Sequence, residues 1–293
     1  MMARPWSPIL LPAICAFWDA TYRQKFTFVD DKISVWSPII GRDAVQATAA
    51  ARPTLGTRNR RNTVLFDGAD DWLSIDDTTW PSGDAQSTMI CTGHVDANAG
   101  TTITSRMMLN HGASAPTNSP RQIRFSAGGG VLRPTINRGT QSRTLVIEVR
   151  GLDQVISGQW CNGAKVGQYF ANGRLIGTAA QPLGTVAASS CFGAAAGGGS
   201  NYHYGGIHSA LVTRSLLSRH EVEKYEGWAI HNFRMDFGAI AASHPYRTTQ
   251  PMATAREIEQ FLDTARDINW RNELDMERAV RSYTPTRKLM CAA

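Results

Sequence analysis

Along most of the first 215 positions apolar and polar residues alternate with a period of two. FTFVDDKISVW (26–36) splits into two alternating halves about Asp30-Asp31, and NTVLFDGADDWLSI (62–75) repeats that plan about Asp67-Gly68. STMICTGHV (87–95), RQIRFSAGGGVLRPTI (121–136), RTLVIEVRG (143–151) and QYFANGRLIGTA (168–179) continue the pattern. Alternation places successive side chains on opposite faces, so each piece predicts a half-buried strand, and the Asp, Asn and Gly between them predict tight turns. The clearest hairpin is QYFANGRLIG, where Asn172-Gly173 supplies two residues that tolerate positive φ in a type I′ turn. NHGASAPTNSP (110–120) and GAAAGGGSNYHYGG (193–206) read as surface loops. The glycine-rich one has no GxGxxG after a strand and no Lys-Ser/Thr, so a phosphate cradle is not expected.

After residue 215 the period changes. Ser218-Arg219-His220-Glu221 is a capping box, and Val222, Tyr225, Ala229 and Phe233 follow at helical spacing, predicting an amphipathic helix of about three to four turns. A proline-rich turn (243–251) precedes TAREIEQFLDTARDINWRNELDMERAVRSY, which carries Ile258, Phe261, Leu262, Ala265 and Ile268 on one helical face. The expected organisation is one large β domain over residues 1–247 and a helical C-terminal arm over 248–293. An isolated arm cannot bury such a stripe, so anchoring or oligomerisation is expected of those five residues.

Composition agrees with a packed β protein: 42% of residues are hydrophobic, only 18% are charged, and 26 are glycine. The net charge of +6 is spread out; its densest cluster, Arg58, Arg60 and Arg61, lies among turn formers and reads as a solvated loop, so direct nucleic-acid binding is not expected. Five widely spaced cysteines without a CxxC pair argue against a disulfide framework or a zinc site and suit buried thiols in a reducing compartment. ILLPAICAFW (9–18) has the apolar run of a signal peptide, but Arg4 is its only flanking charge, Pro12 interrupts it and Ile14 is too large for a cleavage site before Cys15. It reads as a buried strand, with no targeting signal and no membrane span.

The candidate chemistry is sparse. Asp67, Asp70 and Asp71 lack the order and the late Glu of an EF-hand, yet Asp67 and Asp71 could share one sheet end and hold calcium, the only cofactor left open. The more ordinary role is a turn: Asp67 caps it, Gly68 takes positive φ, and Phe66, Trp72 and Leu73 pack. Glycoside hydrolysis needs paired carboxylates, and Glu148 stands alone on its strand with Asp153 in another register. The seven histidines show neither HExxH nor an i, i+4 pair and read as surface or loop residues, so no catalytic residue is assigned and no enzyme is expected. Sugar binding would use exposed aromatics with polar neighbours: Trp160 with Asn162, and Tyr202, His203 and Tyr204.

Several pieces, in order, resemble the concanavalin A-like laminin-G/pentraxin family as it occurs in bacteriophage virion proteins and bacterial surface proteins. AFWDAT (16–21) looks like the family's opening LWLDAxD strand, residues 33–55 are similar to its VSxWxDxSGxGxxAxQxTAxxRPxL stretch, and NTVLFDGADDWLSI to its pxVxFDGxxDxL core. SLLSRHEVEKYEGWAIHNF (215–233) resembles RxLSxxExxxxEGYLAxKW, and ASHPYR (242–247) its closing xxHPY. The family's Asp and Ser-Gly-Asn after the tryptophan are absent from Trp36-Ser37-Pro38-Ile39-Ile40-Gly41, which removes one metal-loop carboxylate. The resemblance implies an all-β, two-sheet antiparallel jelly-roll sandwich with a short packed helix. The fold alone does not choose among sugar binding, adhesion and virion architecture. Taken with the lack of a secretion signal, the unpaired thiols expected of the cysteines and the uncovered helical stripe, the resemblance leads to the expectation of a non-enzymatic structural protein of a phage or phage-like virion, as capsid decoration, head fibre or tail component, assembled in the host cytoplasm with other virion proteins and copies of itself as partners. Carbohydrate-binding adhesion to host glycans is the alternative, and a glycan-cleaving enzyme a weaker one.

Overall fold

Positive-φ pairs close the hairpins that the turn residues predict. Asp30-Asp31 (φ 52° and 62°) join Phe26–Val29 to Lys32–Trp36, Gly129-Gly130 (62° and 80°) join Arg121–Gly128 to Val131–Arg138, and Asn172-Gly173 (50° and 77°) join Gly167–Ala171 to Arg174–Ala179. Such turns twist with the strands they connect, which sets the register. Asn59-Arg60 (51° and 62°) form a fourth, between Thr54–Arg58 and Arg61–Asp67, so the arginine cluster is a hairpin tip and not an open loop. The structure, a computed structural model, describes residues 4–100, 105–112, 120–138, 141–161, 166–179, 190–195, 198–236 and 240–260.

Among the described residues seventeen antiparallel strands form one hydrogen-bonded sheet that curls over into two facing layers, a jelly-roll-like sandwich. In the first layer Tyr204–Thr213 is central. It pairs with Ser87–Val95 on one side, and on the other with Arg61–Asp67 along its first half and Ile14–Asp19 along its second. Asp153–Trp160, Gly167–Ala171 and Arg174–Ala179 extend this layer beyond Ser87–Val95. The second layer runs from Gln141–Thr144 through Val131–Arg138, Arg121–Gly128, Ser105–His111, Ser190–Phe192, Leu73–Ile75, Ala44–Val45 and Lys32–Trp36 to Phe26–Val29. Lys32 pairs with Thr54 where the layers meet.

NTVLFDGADDWLSI departs from expectation: it is not a hairpin. Its first half pairs with Thr54–Arg58 and Tyr204–Thr213, its second with Ser190–Phe192 and Ala44–Val45, so DGADD carries the chain from one layer to the other. RTLVIEVRG is also corrected, because the strand Gln141–Thr144 ends before Leu145. The Glu148 carboxylate there accepts from the backbone N–H groups of Leu132, Val149 and Arg150, which makes it a loop cap. In ILLPAICAFW a single 3-10 turn, Pro8–Leu10, precedes the strand Ile14–Asp19.

Two apolar clusters hold the layers. Between them lie Trp18, Trp36, Phe66, Cys91, Trp160 and Phe192, with the Phe192 ring 5.2 Å from Trp18 and 5.1 Å from Trp36. Outside the first layer the helix Arg219–Phe233 lays Val222, Tyr225, Trp228, Ala229 and Phe233 on Phe17, Ile90, Val155 and Leu211. Ser87–Val95 is therefore buried on both faces, which its alternating pattern does not announce. The capping box forms as read, Ser218 N–H donating to Glu221 Oε2 at 2.6 Å and Glu221 N–H to Ser218 Oγ at 3.3 Å. Among the described residues no helix is long and apolar enough to cross a membrane. Cys15, Cys91, Cys161 and Cys191 are buried and form no disulfide among the described residues; Cys291 lies outside the described residues.

One helix residue is a junction. Glu226, fully buried, accepts from Gly173 N–H (2.9 Å) at the hairpin tip and lies 3.1 Å from Nε2 of the buried His244. Beyond it the two-residue strands Arg4–Pro5 and Met252–Ala253 form a separate antiparallel ribbon, and Trp6 N–H donates to Pro251 O. Thr254 then caps a helix start in which Ile258 N–H donates to Thr254 O, while Lys224 Nζ reaches Glu257 Oε1 at 2.6 Å. Of the anchoring stripe only Ile258 is described; Phe261, Leu262, Ala265 and Ile268 lie outside the described residues.

Candidate functional site: an acidic hollow at the layer crossover

The crossover is built from the backbone needs of DGADD. Gly68 takes φ +79°, and a Cβ there would stand 2.7 Å from Tyr204 Cβ. Asp67 Oδ1 accepts from Ala69 N–H (2.8 Å) and Asp70 N–H (3.4 Å), and Asp71 Oδ2 accepts from Asp67 N–H (3.0 Å). The carboxylates of Asp67, Asp70 and Asp71 come within 4.8 Å of one another, the oxygen-rich donor set that calcium takes. Asp67 and Asp70 are exposed. Asp71 is buried, and its Oδ1 has no hydrogen-bond partner among the described residues.

Asp71 lines a hollow of about 290 Å³ together with Lys32, Thr54, Leu65, Phe66, Asp67, Asp96, Tyr204 and Gly205. Lys32 and Thr54 come from the pair that joins the layers, and Tyr204 pairs with Asp67 across the sheet. Loss of water, and then the Asp67 charge, push the Asp71 carboxyl up to about 7, against the pull of the Asp67 N–H. Its folded value exceeds its unfolded value of about 4. Folding therefore takes up a proton here, and the stability that protonated Asp71 contributes is full below about pH 4 and is lost as pH rises to about 7. Asp71→Asn should flatten that slope and gain about 1–3 kcal/mol at pH 8, measured by urea unfolding across pH 4–8.

The residues expected to meet a sugar divide by strand parity. Tyr204 is half-buried and lines the hollow; Tyr202 is half-buried and donates its hydroxyl to Gly198 O. His203 between them points inward and is fully buried. It packs on Phe66 and Phe125 with ring centroids at 5.9 and 6.0 Å and meets His94 O at 3.1 Å, and burial lowers its pKa to about 4. Trp160 is fully buried against Tyr169. Neither His203 nor Trp160 is available as a ligand platform, which corrects both assignments. Asn162 lies outside the described residues.

The histidines also differ from expectation: His94, His111, His203, His208 and His244 are buried. His111 Nδ1 meets both Asp77 Oδ2 (3.0 Å) and Ser190 Oγ (2.8 Å), and its Nε2 faces Pro81 O (2.8 Å). A nucleophile–base–acid relay needs serine and carboxylate on opposite ring nitrogens, so this trio is a structural tie. His94, His208 and Asp153 form a second cluster. Asp153 Oδ1 accepts from Arg58 Nε (2.5 Å) and lies 3.2 Å from His208 Nε2, and Oδ2 accepts from Asn59 Nδ2 (2.7 Å). Burial would raise the Asp153 carboxyl; the bond and charge of His208 and the Arg58 charge outweigh it and hold the value down to about 2.

The sequence matches no protein-family model and no curated protein. Among solved structures, the chain is similar to Trypanosoma rangeli sialidase in complex with sialic acid (12% identity, TM-score 0.50, 75% of this chain and 35% of that one). It is also similar to domain 4 of AbnA, a GH43 extracellular arabinanase from Geobacillus stearothermophilus, in complex with arabinotriose (12%, 0.48, 71% and 96%). A third is the Ruminococcus gnavus IT-sialidase CBM40 bound to α2,3-sialyllactose (17%, 0.38, 48% and 82%). The chain spans about a third of the sialidase's length. At these identities the likeness concerns the fold: a β-sandwich of jelly-roll type.

Proposed function

We propose that this protein is a non-enzymatic carbohydrate-binding sandwich, laminin-G-like within the concanavalin A-like class, whose hollow at the Asp67–Asp71 corner takes the edge of a sugar ring. The observation that carries this reading is Asp71 Oδ1, a buried acceptor without a partner among the described residues, lining a concave site just below the ligand-pocket range of roughly 300–1,000 Å³. A sugar hydroxyl is the donor it lacks. Tyr204 adds apolar ring surface, Lys32 a cationic donor, and Asp67 and Asp96 two further carboxylates. Charge narrows the class: Asp67, Asp71 and Asp96 against Lys32 disfavour an acidic sugar and suit a neutral or amino pyranose. Asp67 Oδ1 is occupied by two backbone N–H groups, which favours binding over a second catalytic carboxylate.

The test is a glycan array followed by calorimetry. Neutral or amino pyranoses should bind, sialylated ones should not, and Tyr204→Ala should weaken binding about tenfold. An array without such hits, or hits indifferent to Tyr204→Ala in a folded variant, would sink the reading. A second reading, display on a phage-like particle through the arm after residue 247, is supported by the sequence resemblance and by the capped helix start at Thr254.

A further inference from the structure

Three neighbouring strands each bring one side chain to the helix-facing side of the first layer. His94 stands near the end of Ser87–Val95, Asp153 is its direct partner on Asp153–Trp160, and His208 occupies a bulge where the register shifts between Ile207 and Ser209. The Phe233 ring stacks on His208 with centroids 5.2 Å apart and covers the group. His94, Asp153 and His208 are exposed by only 5%, 3% and 1%. Their donor atoms converge: Asp153 Oδ1 is 3.2 Å from His208 Nε2 and 3.8 Å from His94 Nδ1, and one atom from each residue lies within 4.8 Å of the others. Donors held about 2.0–2.2 Å from a tetrahedral zinc ion stand roughly 3.3–3.6 Å apart, and the two separations from Asp153 Oδ1, 3.2 and 3.8 Å, bracket that spacing.

A second, independent observation is the state of His94 Nδ1. It is buried, has no hydrogen-bond partner among the described residues, and faces a carboxylate oxygen beyond hydrogen-bond range. A buried ring nitrogen left unpaired is costly unless a partner reaches it, and the Asp153 oxygen it faces, already held by Arg58 and His208, is the nearby group that could share a cation with it. We propose that His94 Nδ1, His208 Nε2 and Asp153 Oδ1 bind a divalent transition-metal ion, zinc by donor type, with water completing the coordination. Arg58, whose side chain is 28% exposed on its hairpin tip, competes for the same carboxylate oxygen and must swing outward when the ion enters. Asn59 stays on Oδ2 and orients the carboxylate. The ion ties three strands together beneath the helix.

The full-length chain, stripped with a chelator and dialysed, is titrated with Co²⁺ and Zn²⁺. One equivalent of cobalt should give a ligand-field absorption that zinc displaces, and zinc should raise the melting temperature. His94→Gln and His208→Gln should lose the cobalt band and weaken zinc binding at least about 100-fold. Arg58→Gln, which removes the competing cation, should tighten it about tenfold. Asp71→Asn should change neither, which separates this site from the acidic corner. Should the histidine variants fail to fold, zinc-edge X-ray absorption of the wild-type protein counts the imidazole ligands, and two are expected. Lack of stoichiometric binding by the wild-type chain, undiminished binding in His94→Gln, Arg58→Gln binding no tighter than wild type, or a spectrum without two imidazoles would each overturn the proposal.

Discussion

Glu226→Ala should destabilise the protein by about 3–5 kcal/mol, the range for breaking a buried charged pair. The residue is fully buried in the helix, and its two oxygens face Gly173 N–H and His244 Nε2. Alanine would leave both groups in a dry site without an acceptor, and the desolvation cost of each would remain uncompensated. The loss should be shared by three elements at once: the helix, the Asn172-Gly173 hairpin and the His244 turn. Urea unfolding should show a lower midpoint with an unchanged slope, and hydrogen exchange should rise together at Gly173 and around residues 241–247. Glu226→Gln keeps an acceptor for Gly173 and should recover part of the loss. An alanine variant within 1 kcal/mol of wild type would show that the junction is hydrated and not dry.

Trp18→Ala should cost a similar amount, about 3–5 kcal/mol, for a different reason. Trp18 is fully buried between the layers, packs edge-on against Phe192 (5.2 Å) and Trp80 (6.0 Å), and donates its ring N–H to Trp36 O at 3.2 Å. Removal opens a cavity among rigid aromatic rings that belong to both layers and cannot collapse inward without moving strands. Thermal unfolding of the variant should show a midpoint lowered by about 5–10 °C or more. Trp18→Phe should lose less, because most of the ring contact survives without the N–H bond.

The fold was legible wherever local chemistry sets local geometry. Period-two alternation marks Ser87–Val95 and both halves of the Arg121–Arg138 hairpin, and Asn172-Gly173 and Ser218–Glu221 form the turn and the cap that their side chains dictate. What alternation does not encode is which strand pairs with which. Asp67-Gly68 has hairpin chemistry, yet the strands on either side find partners in different layers, because burying Phe66 and Leu73 in the shared core outweighs pairing with each other. The hollow was half legible. Asp67, Asp71 and Tyr204 stand out in the sequence, whereas Lys32 and Asp96 reach it only through the layer junction and the long-range register. Parity of the Tyr204–Thr213 strand, carried back two residues, distinguishes inward His203 from Tyr202 and Tyr204. The histidine–aspartate cluster left no local signal: His94, Asp153 and His208 are joined by pairing of distant strands and by a bulge that turns His208 to the same side.

The ribbon of Arg4–Pro5 on Met252–Ala253 has a mechanical consequence. Arg4 lies opposite Ala253, so the chain before residue 4 and the chain after residue 253 leave from the same end of the ribbon. Tension drawn between those two directions peels the ribbon one rung at a time instead of shearing it. Load carried past the Lys224–Glu257 tie would therefore meet these two rungs before the long strands of the sandwich.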